Sequence, residues 1–155
     1  MHKISLLAVV VALAVPAVAR ASIVVEGSVG RAAQVSPWNS DQPTNIEIAP
    51  GIGIGDMIKA ELGFVVDWQN GERTNLRLRP MLVLSPPVIP LYGRLILGYD
   101  KLFSSDRHLE LGGAVGVSFK LTVVGVFAEV GYVPQNTSAG FEHFVEGRLG
   151  AFLSF

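Results

Sequence analysis

At 155 residues, half of them apolar, with 17 glycines, no cysteine and a formal net charge of −1, the chain has room for one folded unit. Its apolar content excludes a disordered polypeptide and the lack of Cys excludes a disulfide scaffold. No run of 18 or more apolar residues follows residue 21, so a membrane-embedded form would have to cross as strands and not as helices.

The predicted elements begin with a secretory signal over residues 1–21. Lys3 supplies its positive start, residues 4–15 its apolar core, and Ala19, Arg20 and Ala21 its small-x-small cleavage site. The 12 residues of that core fall short of the roughly 20 a spanning helix needs. Without Lys3 and Arg20, ten basic residues remain against 13 acidic ones, so the mature part, residues 22–155, carries −3 and is unsuited to nucleic acid.

Eight strands are predicted after the signal, each tested by whether its charges keep to one face, because a slip of one residue would reverse the faces. Over 22–34, Ile23, Val25, Gly27 and Val29 oppose Glu26 and Ser28; 35–43, with Pro37, Trp38 and Asn39, reads as a loop. Over 44–54, Ile46, Ile48, Ile52 and Ile54 oppose Glu47, Ala49, Gly51 and Gly53. No helix follows this glycine run, which excludes a nucleotide-binding loop. Over 58–69, Ile58, Ala60, Leu62, Phe64, Val66 and Trp68 alternate with Lys59, Glu61, Gly63, Val65 and Asp67, and Asn70-Gly71 predicts a hairpin turn.

The fourth strand sets Leu76, Leu78, Leu82 and Leu84 against Arg73, Asn75, Arg77 and Arg79 and stops at Ser85-Pro86-Pro87. The fifth, 89–99, sets Leu91, Leu95, Leu97 and Tyr99 against Tyr92, Arg94 and Gly98. The sixth opposes Leu109, Leu111, Val115, Val117 and Phe119 to His108, Glu110, Gly112, Ala114, Gly116, Ser118 and Lys120. The seventh opposes Val124, Val126, Ala128, Val130 and Tyr132 to Gly125, Phe127, Glu129 and Gly131. In the last, 141–155, Val145, Gly147, Leu149, Ala151, Leu153 and Phe155 oppose Glu142, Glu146, Arg148 and Ser154, with Phe144 the exception. Pro50 and Pro80 interrupt two strands and are read as local bulges. The remaining loops are 69–73, 100–107 and 134–140.

Alternation alone does not separate a membrane barrel from a soluble lipocalin-like carrier of small hydrophobic ligands, which differ in the face that points inward. Three features favour the membrane. The polar faces carry six acids (Glu26, Glu47, Glu61, Glu110, Glu129, Glu146) and five bases (Lys59, Arg77, Arg79, Arg94, Arg148), a balance that a narrow lumen requires and a solvated surface does not. Trp68, Tyr99 and Tyr132 end strands that run one way, with Phe119 and Phe155 at the opposite rim, the pattern of two interfacial aromatic girdles. Turns near Gly55-Asp56, 85–87 and Lys120-Leu121 are shorter than the loops at the other end.

The last strand adds a polar residue, a glycine two places on, and apolar residues at the third-last and last positions: Arg148, Gly150, Leu153 and Phe155. On these residues the mature chain resembles the small eight-stranded bacterial outer-membrane β-barrels, the OmpX-like and OmpA membrane-domain-like family. The resemblance implies an all-β, antiparallel, up-and-down transmembrane barrel with both termini periplasmic. It also implies Arg148, Gly150, Leu153 and Phe155 as an assembly signal, and as partners the barrel-assembly machinery, periplasmic chaperones, outer-membrane lipid and lipopolysaccharide. A monomer and no cofactor are expected.

Chemistry on such a scaffold has few candidates. Ser104, Ser105, Asp106 and His108 are the residue types of a serine hydrolase, but four neighbours on one loop do not place a base between nucleophile and acid. Glu142 and His143 lack a serine at matched spacing. Two histidines and no cysteine after the signal leave no transition-metal ligand set. The expectation is a non-enzymatic barrel with a structural or envelope-maintenance role, its lumen filled by ion pairs. The alternatives are a lipid A-modifying or surface-binding barrel.

Overall fold

A computed structural model describes residues 21–36, 42–55, 57–69, 72–100, 108–137 and 140–155. Residues 1–20 of the signal expected over 1–21, the Asn70-Gly71 turn, and Ser104, Ser105 and Asp106 lie outside the described residues. Eight antiparallel strands form a closed barrel in sequence order: β1 Ala21–Ser36, β2 Thr44–Ile54, β3 Ile58–Gln69, β4 Glu72–Leu84, β5 Leu91–Asp100, β6 His108–Leu121, β7 Val124–Thr137 and β8 Gly140–Ser154. β1 closes on β8, and below the last ladder pair the backbone of Phe155 exchanges two hydrogen bonds with Ile23, at 3.0 and 3.1 Å.

The register sets the shape. Following cross-strand partners from Trp68 through Thr44, Arg31, Gly147, Val130, Val115, Gly93 and Leu84 returns to β3 at Ile58, ten residues below the start (68 − 58). A shear of ten over eight strands corresponds to a strand tilt of about 40° and an axial rise of about 2.5 Å per residue. The connections 55–57, 85–90 and 122–123 mark the lower end, and 37–43, 70–71, 101–107 and 138–139 the upper.

Each strand exposes its apolar face. Ile23, Val115, Leu149 and Phe155 are 63 to 70% exposed, whereas Arg79, Glu110, Glu47 and Glu146 are at most 2% exposed. These buried charges therefore point into the lumen. A carrier with an apolar interior has the opposite arrangement.

The strands differ from expectation at their upper ends. β1 runs on to Ser36, β5 to Asp100 and β7 to Thr137, so 134–137 is strand and not loop, and the upper connections shrink to 7, 2, 7 and 2 residues. At the lower end β5 starts at Leu91, two residues later than predicted. Pro90, which has no N–H, instead accepts a hydrogen bond from Ser118 N at 2.8 Å.

The prolines are not bulges. Pro50 pairs with Val25 and Pro80 with Leu62 in unbroken register, and the register shifts fall elsewhere, at Gln34/Ser36 and Asp67/Trp68. What each proline does is open the ladder on its other side. The β2–β3 pairing skips from Ile48 to Gly51 across Pro50, and the β4–β5 pairing from Leu78 to Met81 across Pro80. Pro134 has the same effect: it pairs with His143, while the β6–β7 ladder skips between Glu110 and Gly113. A missing N–H removes a rung without inserting a residue, so the faces stay aligned.

Candidate functional site

The feature that distinguishes this barrel is the filling of its lumen. In the upper half, Arg77 Nη2 lies 2.6 Å from Asp67 Oδ1 and its Nη1 3.2 Å from Glu110 Oε1. Arg79, two residues along β4 and on the same face, reaches Glu110 Oε2 at 3.1 Å, Glu146 Oε2 at 2.8 Å and Glu47 at 3.7 Å. Arg148 bridges Glu47 to Glu129. Below it, Arg94 holds Glu26 at 2.8 Å, Glu129 at 3.1 Å and Glu61 at 3.4 Å. Because Glu47 and Glu129 each touch two arginines, the pairs form one chain of contacts from Asp67 down to Glu26. All of these residues are buried.

Ten of the eleven residues expected to pair in the lumen lie in this network. Lys59 sits lower and half-buried, its Nζ 4.3 Å from the centre of the Phe152 ring. Three further members were not singled out from the sequence. Asp67 pairs with Arg77, Asn45 donates from Nδ2 to Glu146, and Tyr92 donates its hydroxyl to Glu129 Oε2 at 2.6 Å. All three lie at inward positions of the alternation, which was the available signal.

An apolar layer closes the lower half. Tyr92, Phe127 and Phe152 pack with Val24 and Val83, the Tyr92 and Phe127 rings edge to face with centroids 6.3 Å apart. The guanidinium of Arg94 lies 5.6 and 5.8 Å from the Phe127 and Tyr92 rings, joining the two layers. Each ring is accommodated by a glycine directly across the ladder: Tyr92 by Gly116, Phe127 by Gly150 and Phe152 by Gly125. A Cβ on any of the three would overlap the ring. Large ionic side chains follow the same rule, with Arg79 opposite Gly63, Arg148 opposite Gly30 and Glu110 opposite Gly98. Eight strands leave an interior that side chains just fill, and alternating large with small residues lets opposing walls interdigitate. A void of about 10 Å³ between Arg94, Lys59 and the rings is near the room one water needs.

On the outside, the predicted girdle residues group by height. With the register and an axial rise of about 2.5 Å per residue, Trp68, Tyr99 and Tyr132 fall within about 8 Å of one another, and Phe119 and Phe155 lie roughly 25 to 30 Å below Trp68. All five are exposed. Tyr132 is not at a strand end, because β7 continues five residues beyond it to Thr137. Of the expected assembly signal, Leu153 and Phe155 point outward, Arg148 belongs to the lumen network, and Gly150 supports the Phe127 ring. The candidate base His143 is stacked between Tyr132 and Phe141 and hydrogen-bonded to the Tyr132 hydroxyl, with Glu142 beside it in the chain. His108 opens β6.

No protein-family model and no curated protein matches this chain. Among solved structures it is similar to Neisserial surface protein A (NspA), with a TM-score of 0.62 at 16% identity, over 87% of this chain and 97% of that one. It is also similar to the N-terminal β-barrel domain of Pseudomonas aeruginosa OprF, with a TM-score of 0.54 at 12% identity, over 86% and 97% of the two chains. At these identities what is shared is architecture. With eight antiparallel strands closed in sequence order around a filled, charged lumen, the chain has the fold of the small outer-membrane β-barrels.

Proposed function

We propose that this protein is an integral outer-membrane β-barrel with a structural, non-enzymatic role in the cell envelope. The observation that carries the reading is the inverted polarity of the wall: apolar side chains outward on all eight strands, arginines and carboxylates paired inward. In water an exterior of this kind is an aggregation surface, and in a bilayer it is the matching solvent. The roughly 25 Å between the aromatic groups fits the apolar band of such barrels. The upper end faces outward and the lower end, with both termini, the periplasm. Lipid and lipopolysaccharide surround a monomeric barrel, and the assembly machinery and periplasmic chaperones are its partners during biogenesis. The ion-pair chain and the ring layer beneath it seal the lumen against general diffusion.

The test is fractionation followed by electrophoresis of unboiled and boiled samples. An outer-membrane band that migrates fast when unboiled and slows on boiling is the expected result, together with no pore-sized conductance in planar bilayers and no release of acyl chains from lipid A. A soluble periplasmic species without the shift would sink the membrane assignment. Stable large conductance would sink the sealed lumen, and acyl release the non-enzymatic role.

A further inference from the structure

Among the described residues, the outward face between the two aromatic levels holds one charged residue out of place. Arg31, in β1, lies on the face shared by Ile23, Val25 and Val29 and is exposed. Among the described residues it is the only charged side chain on the outward face between the two aromatic levels, and its guanidinium makes no ion pair or hydrogen bond. The register fixes its height. The rung from Arg31 passes to Gly147 and on to Val130, two residues before Tyr132, and the drop across two strands brings Arg31 within about one residue of the level of Tyr132. Arg31 therefore sits in the upper girdle.

A shallow groove begins there. It follows two adjacent rungs down the wall from β1 across β8 and β7 to β6 and β5, an open depression of about 790 Å³. Gly147 and Ala128 form low points between the larger Val29, Val130 and Leu149. Nothing lies within 4 Å of where a Gly147 Cβ would stand, so the low point is open space. The hydroxyl-bearing Thr44, also exposed, pairs directly with Arg31 and adds a polar group one strand away, slightly higher on the wall.

We propose that Arg31 and this groove form a binding site for a phosphorylated, multi-acyl lipid of lipid A type. This rests on the outer-membrane reading, which puts the upper girdle in the outer leaflet at the depth of lipid phosphates. Charge complementarity selects the headgroup: a guanidinium without an ion pair among the described residues, at the edge of an apolar belt, is matched by a phosphate that it can grip with two parallel N–H donors. The groove, running obliquely downward from Arg31 over about 19 Å for four inter-strand steps, takes an acyl chain.

The experiment is native mass spectrometry of the mature barrel in detergent, titrated with diphosphorylated lipid A and with its dephosphorylated form. Wild type should hold the phosphorylated lipid preferentially. Arg31→Gln should weaken that binding about tenfold, the loss of one charge-assisted contact, and should leave the dephosphorylated form unaffected. Gly147→Leu, which fills the groove without removing charge, should weaken both. Equal affinity of wild type and Arg31→Gln, or no preference for phosphate, would overturn the site. A heat-shifting outer-membrane band for each variant separates the two readings: present with unchanged lipid binding, only the lipid site fails; absent in wild type, the envelope reading fails and takes the site with it.

Discussion

Arg94 offers the sharpest test of the lumen. It is the guanidinium that Glu26 and Glu61 share, at 2.8 and 3.4 Å, while Glu129 keeps a second contact with Arg148. Arg94→Met keeps an apolar stem that reaches about as far as the arginine Nε but removes the guanidinium, with its charge and its contacts to the Tyr92 and Phe127 rings. Breaking a buried pair by deleting one partner costs about 3–5 kcal/mol, mostly because the other charge stays buried and uncompensated. With two carboxylates orphaned and Lys59 held 4.3 Å from the Phe152 ring, a loss of about 4 kcal/mol is expected, roughly a thousandfold in the unfolding equilibrium. Urea titration of the refolded barrel in micelles, read by cold-gel mobility, measures it. Adding Glu26→Gln and Glu61→Gln should recover more than half, because neutral amides remove the charges that Arg94 balanced. A loss below about 1 kcal/mol for the single variant, or no recovery in the triple, would refute the argument that charge compensation holds the lumen together.

Gly125→Ala and Gly150→Ala each push a methyl into a ring, Phe152 or Phe127, and should cost about 1–3 kcal/mol in the same titration, whereas Gly27→Ala, with open space around its Cβ, should change nothing measurable. Thr122, in the two-residue turn between β6 and β7, has φ 59°, which suits glycine better than a β-branched residue; Thr122→Gly should raise stability by about 0.5 to 1 kcal/mol, and a loss would show that the turn is not strained. Phe155 has an outward ring but pairs through its backbone with Ile23, so Phe155→Ala should lower the heat-shifting band in outer-membrane fractions while leaving refolding in detergent nearly unchanged. Equal amounts of wild type and variant in the membrane would remove the ring from the assembly signal.

The faces of all eight strands were legible because alternation of period two sets nearly every charge of the strands on one side, and the inward placement of Glu26 to Arg148 followed from that. The polarity of the closed wall was not. An apolar face reads identically turned in or out, and the choice rested on features outside the alternation: the balance of acids and bases, the two aromatic levels and the turn lengths. Partnership was also illegible: Arg94 meets a carboxylate 68 residues away, a relation of register and shear that no local pattern encodes. Proline was misread for a related reason. Alternation reports side-chain direction, whereas a bulge and a lost rung differ in backbone pairing. Arg31 was passed over although alternation extends to it, since in a strand defined by Glu26 and Ser28 inward and Val29 outward it breaks the pattern only once.

On the proposed outer-membrane reading, the lumen chemistry also bears on how such a chain inserts. Filling the interior with Leu and Ile would be at least as stable as ion pairs, since buried pairs seldom outperform apolar packing of equal volume. It would also turn strands of 10 to 16 residues, such as β5 and β1, into unbroken apolar runs. Joined across a two-residue turn like the one between Leu121 and Val124, two such strands would exceed the roughly 20 apolar residues that insert as a helix. Interspersing Glu, Arg and Gly among the inward positions keeps each segment below that threshold while it is extended. The same residues become harmless once the barrel closes and they find one another, so the desolvation cost of the ion pairs secures a chain that inserts only as a sheet.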